Sequence, residues 1–326
     1  MSIIKKTGDL SNSDNFIKEE QPLITFALFA YNQEEFIREA VNGAFSQTYS
    51  PLEIILSDDC SSDRTFEIMQ EMVKEYKGPH HIILNKTKQN KGLAEHINQV
   101  FQLIKGEWVV MAAGDDTSFP HRVQTIHNYI DENCTAILSG YIRKYENEDR
   151  SEMCGISSLK HYTLEYISKD ISRLGVGAAY AYKVENIISS IDYPPILGED
   201  RVFPYEAAIH GEIYHIPDLL LRKRHLESSL TQVDRQENIE KAIERLTLTW
   251  ATHDKILARA LKEGTLSTNR YLKVNKYNFI GRNLHFLRKM KMYGRLANRN
   301  ELINFYYYLF RSGVVFELVR KKLRWK

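Results

Sequence analysis

Two pairs of adjacent carboxylates end apolar segments of this chain. Asp58-Asp59 follow Leu52-Glu-Ile-Ile-Leu-Ser57, and Asp115-Asp116 follow Trp108-Val-Val-Met-Ala-Ala-Gly114. Mg2+ and Mn2+ prefer oxygen ligands, commonly one or two carboxylates plus substrate phosphates. Ala112, Ala113 and Gly114 precede the second pair and leave space for a bulky ligand. Asp115-Asp116 therefore suggest a divalent cation and a phosphorylated ligand, against the plainer role of helix cap and turn. Asp58-Asp59 lead into Ser61, Ser62 and Asp63, which are common turn and cap residues. One of that pair can cap the next helix while the other accepts hydrogen bonds from a base or ribose, since an ionised carboxylate only accepts.

Further candidates lie at other segment ends. Tyr31 and Asn32 read as a turn, or as an aromatic wall on which a nucleobase stacks. Lys91 is a solvated lysine or a point-charge phosphate contact. Glu199-Asp200 sit at a predicted helix start, where the dipole favours acids, and taken alone read as structural. His225 is a loop histidine, or a metal or phosphate ligand. The chain has no Gly-x-Ser-x-Gly, no Walker loop and no His-Glu-x-x-His.

The elements that must position these residues follow from hydrophobic period. Leu23–Phe29 reads as a buried strand, and Phe36, Ile37, Ala40, Val41, Ala44 and Phe45 have helical spacing within 34–46. A strand over 53–57, a helix carrying Phe66, Ile68, Met69, Met72 and Val73, and a strand over 81–84 follow. A helix over about 93–104 and a strand over 107–112 complete a β-α-β-α-β-α-β pattern. That pattern predicts an α/β fold, a doubly wound and mostly parallel sheet with a helical C-terminal extension. Ligands of such sheets bind beyond the carboxyl ends of the strands. The turn at 29–34, the acids at 58–59, Lys91 and the acids at 115–116 are thus expected on one crevice. Past about 135 the period loosens. Strands are predicted over 137–141, 213–216 and 219–222, a helix opens at Gly198-Glu199-Asp200, and helices run from Asn238 to the end.

At 326 residues with 43% hydrophobic content, the chain can bury a sizeable core. Net charge is +2, yet residues 240–326 hold 20 Lys/Arg against 6 Asp/Glu and residues 1–239 hold 24 against 36. A basic C-terminal partner surface is expected. Three scattered cysteines, Cys60, Cys134 and Cys154, suit neither a disulfide framework nor a zinc site and predict a reduced, cytoplasmic setting. Residues 1–20 are polar and read as a flexible leader rather than a signal peptide. No stretch approaches the roughly 20 apolar residues of a membrane span.

In this order the pieces resemble the family 2 glycosyltransferases of the GT-A fold over about residues 22–232. The resemblance rests on Phe29-Ala-Tyr-Asn32, Ala44-Phe-Ser-Gln-Thr-Tyr49, Leu56-Ser-Asp-Asp-Cys-Ser-Ser-Asp-Arg-Thr65 and Asn90-Lys-Gly-Leu93 with Asn98. It continues through Gly106-Glu107, Gly114-Asp-Asp116, Pro120-x-Arg122, Gly198-Glu-Asp200 and Arg222-x-x-His225-x-x-Ser228. It implies a GT-A domain over 21–235, with a nucleotide half at 21–120 and an acceptor half at 121–235, followed by a basic helical region at 236–326. It also implies transfer of a sugar, with inversion, from a nucleotide-sugar donor (a UDP-sugar being favoured) to an acceptor hydroxyl, with Mn2+ or Mg2+.

Carried over by position, Phe29, Ala30, Tyr31 and Glu34 would frame the nucleobase. Asp59 would contact the base with Asp58 nearby, and Lys91 would lie beside the nucleotide. Asp115 would approach the ribose and Asp116 would hold the metal. Asp200 would be the general base, and His225 a metal or phosphate contact. Two departures stand out. Gly114 occupies the place where the family's metal motif begins with an acid, and Arg-Lys-Arg-His replaces the commoner Arg-x-His.

The tail carries Phe305-Tyr-Tyr-Tyr-Leu-Phe310, Val314-Val-Phe316 and Arg320-Lys-Lys-Leu-Arg-Trp-Lys326. Residues 303–326 fit a helix lying on a membrane surface, or one packed against a twin subunit in a homo-oligomer. With a membrane contact, a glycan or lipid-linked acceptor of surface polysaccharide synthesis on the inner face of the cell membrane would follow by family analogy. A nucleotidyltransferase is a rival, but Phe29–Glu35 lacks its Gly-rich phosphate loop. A non-catalytic nucleotide-sugar scaffold is a second rival. Nucleic acid is disfavoured as a partner, since no reading module is present.

Overall fold

The computed structural model describes residues 21–145, 150–169, 175–187, 198–226 and 239–293. Its first half is the predicted alternation. Strands β1 (Ile24–Ala30), β2 (Leu52–Asp58), β3 (His81–Lys86) and β4 (Trp108–Ala113) are linked by helices α1 (Ile37–Phe45), α2 (Thr65–Glu75) and α3 (Leu93–Phe101). The four strands are parallel in the order β3-β2-β1-β4, with Ile24 opposite both Leu52 and Trp108.

Side-chain alternation along β1 shows why both faces must be covered. Ile24, Phe26, Leu28 and Ala30 enter a core with Ile37, Ala40 and Val41 of α1 and Ile68, Met69 and Met72 of α2. Ala27 and Phe29 enter a second core with Ala94, Ile97, Val100 and Phe101 of α3. A strand buried on both faces reads as a continuous apolar run, as β1 does. Phe26 is fully buried; truncating it to alanine would cost about 3–5 kcal/mol.

The second half is β5 (Thr117–Ser118), α4 (Arg122–Asn128), β6 (Cys134–Tyr145), β7 (Ser151–Cys154), β8 (Lys160–Tyr162) and α5 (Leu164–Lys169). A 3-10 turn at Gly177–Ala179, β9 (Tyr180–Lys183), α6 (Val184–Ile187), α7 (Glu199–His210) and β10 (Glu212–His225) follow. The sheet order is β3-β2-β1-β4-β9-β6-β10-β5, with β7 on β6 and β8 on β10. Parallel pairing, expected for most of the sheet, holds for β1–β4 and for β6 with β10. β9 is antiparallel to both β4 and β6, and β5, β7 and β8 are antiparallel edges. The sheet is therefore mixed. Apolar alternation fixes which face a side chain takes, and carries no information on strand direction.

β10 joins the two short strands predicted at 213–216 and 219–222. Its register against β6 shifts around Pro217 and Asp218, where the missing proline N–H favours a bulge. Beyond it, α8 (Ile239–Lys262) and α9 (Thr268–Tyr293) place Ile256, Leu257, Ala260, Leu266 and Val274 in the same core as α3 and α7. The described part of the C-terminal region is thus packed on the sheet domain. Among the described residues, no helix is long and apolar enough to cross a membrane. The predicted domain boundary at 235/236, the leader at 1–20 and the tail at 303–326 lie outside the described residues.

Candidate active site

The ends of β1–β4 are laced together by backbone hydrogen bonds, which builds one crevice from four loops. Gly114 N–H donates to Phe29 O (2.8 Å), Asp59 N–H to Ala30 O (2.9 Å) and Thr87 N–H to Asp58 O (3.0 Å). The β1–α1 and β2–α2 loops are fused further by side chains. Asn32 N–H donates to Ser61 Oγ, Glu34 N–H to Asp63 Oδ2, and Arg64 N–H to Glu34 Oε2. Asn32 and Cys60 adopt left-handed backbone at φ 50° and 58°, unusual outside glycine and concentrated here at the crevice mouth.

The nucleotide candidates separate into floor and rim. Phe29 and Ala30 are buried, and Phe29 meets the ring of His96 edge-on at 5.4 Å. Tyr31 is 45% exposed and presents a free aromatic face. Glu34 is exposed, with one oxygen committed to Arg64 N–H. Asp58 is fully buried and caps its own turn, accepting from Ser61 N–H (2.9 Å) and Ser61 Oγ, with Lys86 Nζ at 3.7 Å. Asp59 accepts from Thr87 Oγ (2.9 Å), Lys91 N–H (3.0 Å) and Gly92 N–H (2.8 Å). As arranged, the Asp59 carboxylate spends its acceptor capacity on the loop that carries Lys91. The Lys91 side chain itself is exposed at the mouth of the crevice.

Asp115 and Asp116 are both buried where β4 ends. Opposite them runs the end of β10, brought there because Leu221 and Arg222 pair with Ser118 and Thr117 of β5. Asp116 Oδ1 accepts the backbone N–H of Arg224 at 3.0 Å, and Oδ2 faces Lys223 Nζ at 3.6 Å. That second contact is too long for a hydrogen bond, and Oδ2 is buried with no donor. Burial raises the Asp116 carboxyl above the usual carboxylate range, the Asp115 charge adds to this, and Lys223 and Arg122 oppose it. The Lys223 pKa is raised as well: burial disfavours its charge, but Asp116 and Asp115 more than offset this.

Arg224 and Arg122 are the clamps of this edge. The Arg224 guanidinium donates to Asp115 O (2.7 Å) and Glu39 Oε2 (2.6 Å) and lies over the Phe36 ring, tying α1 to the acids. Arg122 is fully buried and donates to Ser118 Oγ, Met111 O and Ala178 O. His225, at the end of β10, packs its ring on Tyr145 at 4.7 Å. Glu199 and Asp200 open α7. Glu199 is buried, which with the Asp200 charge raises its pKa, while Lys223 lowers it. Asp200 is 29% exposed.

A divalent cation fits these residues poorly. No group of three His, Cys, Asp or Glu suited to a metal forms among the described residues. At Gly114 a Cβ would meet Gln33 Oε1 at 2.3 Å and Ala30 Cβ at 2.9 Å, so an acid at this place in the family motif would have to push the Gln33 side chain aside and crowd Ala30. Asp116 offers a single oxygen, and an ammonium already faces it.

Lys223, Arg224, Glu39 and Gln33 were not singled out by the sequence. In the sequence Arg222-Lys-Arg-His225 stands only as a departure from the Arg-x-His motif, and the pairing of β10 with β5 brings Lys223 and Arg224 to Asp116.

Comparison with known proteins agrees with this fold. Residues 25–183 match the model of the family described as Glycosyl transferase family 2. An uncharacterized glycosyltransferase of Haemophilus influenzae is 26% identical over 250 residues, 71% of this chain and 75% of that protein. The structure of S. aureus TarS 1–349 in complex with UDP-GlcNAc superposes with a TM-score of 0.64 at 17% identity, covering 86% of this chain and 79% of that one. Mannosyltransferase PcManGT from Pyrobaculum calidifontis, in complex with GDP-Man and Mn2+, gives 0.54 at 14% identity over 94% and 84%. With its strand-end acids, its mixed central sheet and its sequence kinship all in agreement, residues 25–183 match the family 2 glycosyltransferases and the chain has the GT-A fold.

Proposed function

We propose that the chain transfers a sugar from a nucleotide-sugar donor, with a UDP-sugar favoured, to an acceptor hydroxyl with inversion. The observation that carries this reading is the lacing of Asp115-Asp116 to the loops of β1–β3, with Lys223 beside Asp116 and its charge acting on Glu199 at the start of α7. The UDP-GlcNAc of TarS and the GDP-Man of the Pyrobaculum enzyme support a nucleotide sugar as donor. Tyr31 is the stacking face for the base, Phe29 and Ala30 its floor, and Lys91 a phosphate contact at the rim. Glu34, Asp58 and Asp59 hold the loops that shape the pocket, and Asp115 approaches the ribose.

In the reaction the acceptor oxygen attacks the anomeric carbon as the bond to the diphosphate breaks. The bonding pair leaves on the nucleoside diphosphate, and Asp200 takes the acceptor proton. Attack from the face opposite the leaving group inverts the anomeric centre. The Mn2+ of the Pyrobaculum structure supports divalent-metal use in this fold. Here Asp116 Oδ2, with His225 nearby on β10, is what the chain offers to Mn2+ or Mg2+, and no step above is routed through a metal.

The acceptor belongs to the same proposal: a glycan or lipid-linked intermediate of surface polysaccharide synthesis, met at the cytoplasmic face of the membrane. The excess of Lys/Arg over Asp/Glu in residues 240–326 supports it. The test of the donor site is calorimetric titration of the full chain with UDP, GDP and their sugars. Binding of one nucleotide class is expected. Folded protein that binds none of them would overturn the donor site, and binding without turnover would move a non-catalytic nucleotide-sugar scaffold into first place.

A further inference from the structure

Lys223 is a charged residue of the crevice that the transfer chemistry above leaves unused. Its side chain is 15% exposed, and its ammonium stands 3.6 Å from the buried, donor-less Oδ2 of Asp116. Its charge acts on Asp116 and Asp115 at β4 and on Glu199 at α7. Lysine is a well-suited phosphate binder, a compact charge with three donors on a flexible stem.

A cation at about 2.0–2.1 Å from Asp116 Oδ2, the distance Mg2+ demands, would sit against that ammonium. Three features disfavour such an ion. Oδ1 is already bonded to the Arg224 N–H, position 114 supplies no second acid and is crowded by Gln33 and Ala30, and no metal-suited triple forms among the described residues.

We infer that Lys223 supplies the positive charge that faces the donor's diphosphate, so that nucleotide binding by this chain does not require a divalent cation. The inference rests on the donor site proposed above. Lys223 keeps its proton throughout. It stabilises the electron pair arriving on the diphosphate while the acceptor proton goes to Asp200, so no co-reactant is needed.

The experiment titrates the full-length protein with UDP and GDP in EDTA and again in Mn2+, for wild type, Lys223→Met and Lys223→Arg. Circular dichroism verifies folding of each variant. Wild type is expected to bind its nucleotide in EDTA within about threefold of its affinity in Mn2+. Lys223→Met should weaken EDTA binding by about tenfold or more, the loss of one charge-assisted contact, and Lys223→Arg should keep most of it. Mn2+ added alone to wild type should keep its free-ion EPR signal.

Nucleotide binding that appears only with Mn2+, or stoichiometric loss of the EPR signal on wild type alone, overturns the inference and leaves the donor site standing. Equal EDTA binding by wild type and Lys223→Met also overturns it. Failure of wild type to bind either nucleotide under both conditions overturns the donor site itself. Should Lys223→Met not fold, the wild-type comparison and the EPR signal still decide.

Discussion

The carboxylate of Asp116 accepts the backbone N–H of Arg224 at 3.0 Å, a bond that joins two strand ends 108 residues apart. It locks the last turn of β10 onto the end of β4, and so fixes where Lys223, Arg224 and His225 stand. An asparagine at 116 keeps the acceptor oxygen and loses the charge; an alanine loses both. Asp116→Ala is therefore expected to cost about 2–4 kcal/mol, from a stranded N–H and an unpartnered buried ammonium. Asp116→Asn should cost clearly less. Urea denaturation measures both, and equal costs would mean that the N–H bond is not what holds β10 in place.

Asp59 organises the Lys91 loop. Replacing it with alanine leaves Lys91 N–H without its acceptor, and Gly92 N–H and Thr87 Oγ with only Asn90 Oδ1 and Gln89 O. A loss of about 2–4 kcal/mol is expected, since groups stripped of a charged partner bear the desolvation penalty. Lys91→Ala removes an exposed side chain and should change stability by less than about 0.5 kcal/mol. Weakened nucleotide binding in Lys91→Ala with an unchanged melting curve would separate the contact from its scaffold.

Gly114 tests how far a family motif can be restored. Gly114→Asp would drive a Cβ toward Gln33, Ala30 and Ile37, at a cost of about 1–3 kcal/mol from overpacking. The added acid should therefore lower thermal stability without creating a metal site. A variant as stable as wild type that binds Mn2+ on its own would contradict the packing described here.

The joint between the helical region and the sheet domain should respond to acid through His253. Its ring is buried, stacks on Tyr205 at 3.8 Å, and donates from Nε2 to Arg201 O at 2.7 Å. Burial, with Arg282 and Arg201 adding and the Arg201 carbonyl and Asp254 opposing, lowers its pKa to about 4. A depressed histidine is neutral in the fold, and the unfolded chain takes up the proton first. Its stability is thus fully present above the unfolded pKa of about 6.5 and is lost as pH falls toward 4, by about 3 kcal/mol in all. His253→Phe should flatten the stability–pH curve in that window; an unchanged slope would remove His253 as its source.

What the sequence disclosed and what it hid have separate physical causes. The parallel half was legible because buried strands and amphipathic helices each carry their own period, and the strand-end acids Asp58, Asp59, Asp115 and Asp116 stand out against apolar neighbours. The direction of β9 was hidden, since Tyr180–Lys183 alternates identically in either sense. Lys223 and Arg224 were hidden because their roles arise from β10 pairing with β5, a contact between residues more than a hundred positions apart. Asp59 was legible as a site residue, but its service to the Lys91 loop depends on backbone N–H groups that no side-chain pattern reports.

The central claim is that Asp200 takes the acceptor proton in a transfer from a nucleotide sugar. It is tested most directly by nucleoside diphosphate release from a panel of UDP- and GDP-sugars, for wild type and Asp200→Asn, with donor affinity measured alongside. Wild type should turn over one donor class. Asp200→Asn should slow release by about 100-fold or more while binding the donor nearly as well, the signature of a lost general base. Release by Asp200→Asn at the wild-type rate, or no release from any donor by folded wild-type protein, would contradict it.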